Sequence, residues 1–352
     1  MIGPIPLGDN VHIESLALRS RHRFDVAVDG DPHVPRVPVE VLVGQAHRPC
    51  LGLAAGVHGD EYEGVLALQE IVRELEPERL SGTLLVIPVA NPFAFAAAQR
   101  RTPEDNLDLN RVFPGKPEGS LTERLAALLC QKLLLQADAV FTLHGASSNG
   151  VLSPWVEFLD LPTPAGRASY ELARASGFSD LIALPVLPGV LLAAMGELGV
   201  PLVEGEVGGR GTTRHENVDF CKERVYAIAR HVGVLARHTT TQGYGRAPGQ
   251  EHTAGEQTTQ CIWHLSAVAA EADGLFLRQV SLKQVVQAGE RLGTILNMHG
   301  DVAAEVRAPQ DGMIGGYLEH LGVRAGQHVL TLWTPATQIH SSCPQPPAWA
   351  LT

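Results

Sequence analysis

Between Val37 and His144 the chain alternates short β-branched or aliphatic runs with longer segments of helical period, a pattern that calls for a sheet flanked by helices. The strand candidates are VPVEVLVG, CLGLAAGV, TLLVIPVAN and AVFTLHG. Between them, EYEGVLALQEIVREL (Glu61 to Leu75) gathers Val65, Leu66, Leu68, Ile71 and Val72 on one helical stripe. After Gly119, SLTERLAALLCQKLL opens on Ser120 with Glu123 three residues later, the spacing of a capping box. A further strand, PLVEGEV, enters a glycine-rich turn and then a helix expected from about Asn217 to Ala236. The fold class expected is α/β.

At 352 residues the chain exceeds what one hydrophobic core usually serves, so a large domain and a small one are expected. The stretch HTTTQGYGRAPGQEHTAGEQTTQ (238–260) is polar and rich in Gly and Thr, a linker or an exposed strand pair. Beyond it GLFLRQV, ERLGTILNM, AAEVRAP, GMIGGYL and HVLTLW are short strands parted by glycine turns. The expected division is an α/β domain over 1–245, a β-rich domain over 256–336 and a Pro-rich tail over 337–352 lying on the surface. VVQAGERLGTI, VRAPQDGMI and VRAGQHVLTL resemble the barrel-sandwich hybrid of lipoyl and biotinyl carriers. Carriers need an exposed lysine on the central hairpin, which here reads NMHGD, so a structural or substrate-capping role is expected.

With 27 Lys and Arg against 38 Asp and Glu, the net charge of −11 argues against a general nucleic-acid or anionic-membrane binder. No apolar run approaches the length of a membrane span, and the opening MIGPIPLGDNVHIESLALRS lacks the layout of an export signal. Five scattered cysteines without C-x-x-C spacing fit a reduced, cytoplasmic setting. A homo-oligomer is left open. Fifteen histidines are a conspicuous number beside five tyrosines and four tryptophans, and histidine is the usual metal ligand.

Two histidines stand where chemistry is expected. In Gly56-Val57-His58-Gly59-Asp60-Glu61 an apolar strand gives way to a helix, and His58 and Glu61, three apart, can share a helical face. His144 ends a second apolar strand and is followed by the small polar loop GASSNG. Strand C-termini form the ligand rim of open α/β sheets. Together the three residues supply a His2Glu set with a fourth tetrahedral position for water, the layout of a catalytic zinc site. Taken singly, His58 and His144 read equally well as strand-end histidines and Glu61 as a glutamate favouring a helix N-terminus. Hydrolysis also needs a base and a cation. Glu204 and Glu206 share a face of PLVEGEV, with Glu206 nearer the rim. The loop NPFAFAAAQRRTPEDNLDLNRVFPG offers Arg100, Arg101 and Arg111, with Glu104, Asp105 and Asp108 as ready partners should it be only a charged surface loop.

GVHGDEYEG, NPFAF, the RRTPED-to-DLNRVFPG loop, the strand-end LHG and GEVGG, in that order, resemble the succinylglutamate desuccinylase and aspartoacylase family within the zinc carboxypeptidase fold. The resemblance covers most of the chain and implies a carboxypeptidase-like mixed sheet with a small C-terminal all-β, barrel-sandwich-like domain. It implies one Zn2+ per chain on His58, Glu61 and His144, with Glu206 as general acid/base. Asn110 and Arg111 would hold the substrate carboxylate, and Arg100, with Arg101 as competitor, would polarise the scissile carbonyl. The family's strand commonly ends Asp-Leu-His before the third ligand, whereas this chain has Thr142-Leu143-His144, which puts the support of that histidine in question. The GDEYEG and FPG variants are similar to the bacterial branch that includes diaminobutyrate deacetylases. The expectation is a zinc amidohydrolase that removes an acyl group from an N-acylated amino acid or a related small carboxylate. A carboxypeptidase acting on short peptides and a non-catalytic member of the fold are the alternatives; a serine esterase is disfavoured because no G-x-S-x-G elbow is present.

Overall fold

The computed structural model describes residues 12–28, 35–236, 260–319 and 322–340, so the 238–260 stretch, save Gln260, and the tail beyond 340 lie outside the described residues. The first half of the chain runs β1 (Ser20–Val26), β2 (Val37–Val43), β3 (Cys50–Ala55), α1 (Glu63–Glu74), β4 (Thr83–Ile87), α2 (Pro92–Ala96), α3 (Leu121–Ala127) and β5 (Ala139–His144). It continues with β6 (Gly150–Leu152), β7 (Trp155–Leu159), α4 (Pro164–Ala175), β8 (Asp180–Leu184), α5 (Leu191–Glu197), β9 (Leu202–Glu206) and α6 (His215–Val232). The C-terminal strands are β10 (Cys261–Ala269), β11 (Gly274–Arg278), β12 (Val285–Val286), β13 (Arg291–Leu296), β14 (Val302–Arg307), β15 (Gly312–Leu318), β16 (Gly322–Val323) and β17 (His328–Pro335).

One mixed sheet carries the order β1-β2-β4-β3-β5-β9-β7-β8-β10-β17-β15-β12, with β6 added beside β15. A second, four-stranded sheet has the order β14-β13-β11-β16. The central strands β3, β4 and β5 are buried at every position, as strands covered on both faces must be. Side chains alternate between two cores. Leu51, Leu53, Phe141, Leu143 and Val203 meet α1, α4 and α6 on one face, while Cys50, Ala54, Val140 and Leu202 meet α3 and α5 on the other. That second face also receives Thr142, His144, Glu204, Glu206 and Glu157 by the same alternation, so every polar residue of the central strands points one way.

The expected elements up to residue 232 are present with two adjustments. The helix expected to Ala236 stops at Val232, because Gly233 adopts φ 87° and turns the chain out of the helix. The helix expected over 120–134 is α-helical only to Ala127 and continues as a π-turn over Leu128–Leu133 and a 3-10 turn over Leu134–Gln136. Its start is as read: the Glu123 carboxylate accepts the Ser120 backbone N–H at 2.9 Å. The C-terminal strands enclose a core of their own around Phe276, Leu292, Ile295 and Leu332, and Met298, on the NMHGD hairpin, is 94% exposed.

A long strand ties the two parts. Cys261 to Trp263 of β10 run parallel to β8, and Trp263 to Ala269 pair with β17. At that junction Trp333 is fully buried, edge-on to Trp155 and stacked on Trp263. Residues Gly316 to Leu318 of β15 pair with β6, which brings the C-terminal strands against the loop that follows His144.

Candidate metal and active site

β3 and β5 are immediate parallel neighbours, with Ala55 opposite Leu143, so His58 and His144 leave adjacent strands at the same edge of the sheet. The turn after β3 starts at Gly56, whose φ of 61° suits glycine. Gly59 is required for a different reason: a Cβ there would land on the Ala94 backbone of α2. α2 itself is fixed by Asn91, whose side chain accepts from Ala94 N at 3.0 Å while donating to Thr102 at 3.0 Å.

Each acidic residue of the GDEYEG segment has a distinct partner. Asp60 accepts the Ser148 N–H at 2.9 Å and so fixes the loop after His144. Glu63, 2% exposed, accepts from Asn217 at 3.2 Å and lies against the Gly208-Gly209 turn. Burial raises its pKa. Glu61 stands between the histidines, with His58 Nδ1 2.8 Å from Oε1 and His144 Nδ1 3.4 Å from Oε2. One ligand atom from each of His58, Glu61 and His144 lies within 4.8 Å of the others, and all three residues are buried. Burial alone would raise the Glu61 carboxyl, but the two histidines outweigh it and hold it well below the usual carboxylate range.

Two atoms in this cluster have no hydrogen bond although they are buried: Glu61 Oε2 and His144 Nε2. Orphaned buried polar atoms are rare, and a carboxylate oxygen left without a hydrogen bond beside two imidazoles is placed to serve as a metal ligand. Two imidazole nitrogens and a carboxylate form a donor set that suits zinc and leaves room for water. The residues present fit a catalytic metal site.

Arg100 is brought into this cluster. Its Nε donates to Asp108 Oδ2 at 3.0 Å, and its Nη1 lies 3.4 Å from Ser147 Oγ and 3.7 Å from Glu61 Oε1. Arg101 is not: it is exposed and donates to the Asn106 carbonyl of its own loop at 3.0 Å. Arg111 is exposed and donates to the Asn110 carbonyl at 2.6 Å. Asn110 is buried with its amide engaged, accepting from Leu191 N at 2.8 Å and donating toward Glu204 at 3.5 Å.

The two glutamates of β9 separate cleanly. Glu206, opposite His144 and Trp155 in register, is partly exposed and forms part of the wall of a cleft of about 450 Å³. Arg100, Ser147, Trp155, Tyr317 and His328 also line that cleft, so the C-terminal strands supply one of its sides. Glu204 is 2% exposed and sits beneath it. Burial raises the Glu206 pKa well above the usual carboxylate value; His144 opposes this, and Glu157, Glu61 and Glu204 add to it. Glu157 is pushed up to about 7 by burial and by Glu204 across the strand pair.

Three participants were not singled out by sequence reasoning. Asp108, read only as a partner for loop arginines, accepts His58 Nε2 at 3.2 Å and Asn110 N at 3.0 Å as well as Arg100. The hint was its place two residues before Asn110 in DLNR. Ser147 donates to Glu61 Oε1 at 3.0 Å from a backbone with φ 54°, and Glu157 lies on a short strand with no outward sign of function.

Comparison with known proteins finds relatives of one family along most of the chain. The family model of the succinylglutamate desuccinylase/aspartoacylase catalytic domain matches residues 48–232. A curated relative, the N-alpha-acetyl-L-2,4-diaminobutyric acid deacetylase of Halomonas elongata, is 28% identical over 302 residues, which are 84% of this chain and 85% of that protein. Among solved structures, the product-bound ectoine utilization protein EutE of Ruegeria pomeroyi superposes with a TM-score of 0.75 at 25% identity, covering 89% of this chain and 93% of that one. A succinylglutamate desuccinylase/aspartoacylase from Rhodobacter sphaeroides gives 0.78 at 24% identity, over 95% of this chain and 100% of the other, which speaks for the fold.

Proposed function

The chain belongs to the succinylglutamate desuccinylase/aspartoacylase family, a family of deacylases, and from that premise we propose that it is a zinc-dependent amidohydrolase releasing the acyl group of an N-acylated amino acid or related small carboxylate. The observation that carries the reading is the buried His58-Glu61-His144 cluster beside a cleft walled by Glu206 and Arg100. Those three side chains would hold the ion, which when bound supplies Lewis acidity to water and to the amide carbonyl.

The chain's own groups divide the remaining work. Glu206, with a raised proton affinity and an open face on the cleft, takes the proton of the attacking water and returns it to the departing amine. Arg100, held by Asp108, faces the position where the tetrahedral oxyanion develops. Arg111 meets the substrate carboxylate, and Asn110, its amide already engaged, anchors that turn. Arg101 is given no role, because its guanidinium serves its own loop, whereas the charge of Arg111 acts on Asp108 and Glu157 of the site.

A small acyl group is supported by the name of the Halomonas relative, an N-acetyl deacetylase, and by the limited size of the cleft. Cover by β15 and β17 favours a compact substrate over a long peptide. A cytoplasmic setting belongs to the same proposal, supported by four free cysteines among the described residues, one of them exposed.

The test is a panel of N-acyl amino acids, varied first in the acyl group and then in the amine, run beside dipeptides and tripeptides with the zinc-loaded protein. Faster turnover of short acyl amino acids is expected. Preference for peptides would replace the proposal with a carboxypeptidase, and inertness toward both with a non-catalytic role.

A further inference from the structure

The two histidines of the cluster are held alike at one nitrogen and differently at the other. Both present Nδ1 to Glu61. At the far nitrogen, His58 Nε2 has the Asp108 carboxylate at 3.2 Å. His144 Nε2 has no hydrogen bond, yet a second buried carboxylate, Glu204 Oε1, stands 3.5 Å from it. A ligating histidine commonly donates its other N–H to a carboxylate, which fixes both tautomer and ring orientation.

The strand geometry explains why that carboxylate comes from a neighbouring strand. Residue 142 shares the face of His144 two positions earlier, so a carboxylate there would reach the ring from the same strand. The residue is Thr142, whose short side chain ends in a hydroxyl. Its register partner on β9 is Glu204, and the Thr142 hydroxyl donates toward the same Glu204 Oε1 at 3.5 Å. Asn110 Nδ2 donates toward that same oxygen, also at 3.5 Å. Thr142 and Asn110 therefore aim the Glu204 carboxylate at His144.

We propose that Glu204 is the positioning residue for His144, its carboxylate accepting the Nε2–H and turning Nδ1 toward the metal position. The inference rests on the metal-site reading above. Glu204 touches no substrate in this scheme; it is buried below the cleft wall that Glu206 forms. It does for the third ligand what Asp108 does for the first.

Zinc affinity measured by chelator competition tests the idea without relying on turnover. Glu204→Gln, which keeps the side-chain volume, and Glu204→Thr should each stay folded by circular dichroism and bind zinc about 10–100-fold more weakly than the unaltered protein. Adding Thr142→Asp to Glu204→Thr moves the carboxylate across to the strand of His144 and should recover most of that loss. A purely structural role for Glu204 would not be rescued from the neighbouring strand. Folded single variants that keep the parent zinc affinity overturn the inference, as does a double variant no better than Glu204→Thr. His58→Ala separates the two levels of argument. If it abolishes zinc binding while Glu204→Thr leaves it intact, only the positioning role fails; if the unaltered protein takes up no zinc, the metal reading fails and this inference with it.

Discussion

Removing the Asp108 carboxylate should weaken metal binding and slow turnover together, because one buried group holds both a ligand and the proposed oxyanion cation. Asp108 is 7% exposed and receives three donors: His58 Nε2 at 3.2 Å, Asn110 N at 3.0 Å and Arg100 Nε at 3.0 Å. Burial alone would raise its pKa, but the bond from His58 and the charges of His58, Arg100 and Arg111 outweigh that and keep it ionised well below the usual range. Asp108→Ala leaves His58 free to rotate, a loss of outer support expected to cost about 10–100-fold in zinc affinity, or roughly 1.4–2.7 kcal/mol. Arg100 is released as well. Its side chain is 39% exposed, so water replaces part of the lost bond and the stability cost stays near the lower end of about 1.5–3 kcal/mol for a charged hydrogen bond. With the guanidinium no longer aimed, kcat/KM at saturating zinc should fall by about 10²-fold. Asp108→Asn retains one oxygen, enough for His58 and the Asn110 N–H, and should recover zinc affinity more than turnover. Chelator competition and steady-state kinetics on the same preparations provide both numbers. Asp108→Ala with parent zinc affinity and parent kcat/KM would refute the reasoning.

Gly59→Ala should lose zinc and thermal stability together, since its Cβ meets the Ala94 backbone and must displace the turn between His58 and Glu61; metal content and melting temperature check it. Lys222, 5% exposed, holds Glu70 at 2.9 Å and Glu74 at 2.6 Å and so joins α6 to α1; Lys222→Met should lower unfolding stability by about 1–2 kcal/mol in denaturant titrations, the partly exposed carboxylates softening the loss, without changing zinc content. Burial opposes the charge on that lysine, but the two glutamates raise its pKa above the ordinary value, so this contribution is fully present below the unfolded pKa and fades as pH rises through the higher folded one. Melting curves should therefore converge between Lys222→Met and the parent only at strongly alkaline pH. Trp333→Ala empties a fully buried site between Trp155 and Trp263 and should cost about 3–5 kcal/mol, read by denaturant unfolding; a loss under about 1 kcal/mol would mean that the junction is not load-sharing.

What the sequence made legible follows from where periodicity and special residues coincide. Strands β2 to β5 were readable because they are largely Val, Leu, Ile and Ala and run into Gly, Pro or His; β7, five residues with Glu157 in its middle, and β8 were not read. β10 was hidden for another reason: all its residues but Val268 are exposed or half-buried, so its role as a bridge between β8 and β17 appears only in the pairing. Within the site, His58 and His144 announced themselves where apolar strands give out, and Glu61 by standing three residues after His58. Asp108 and Glu204 did not, since an aspartate in a charged loop and a second glutamate on a strand acquire meaning only when another strand or loop places a histidine nitrogen nearby. The same limit applied to Arg100 and Arg101, adjacent in sequence and separated by the turn that points one inward and the other back along its loop.

The central claim is that a metal on His58, Glu61 and His144 works with Glu206 as the proton carrier. Glu206→Gln, prepared beside the unaltered protein and assayed for zinc content and for hydrolysis of an N-acetyl amino acid, tests it most directly. One zinc per chain with turnover reduced by about 10²–10⁴-fold is the result predicted. Turnover at the parental rate in that zinc-loaded variant would contradict the account.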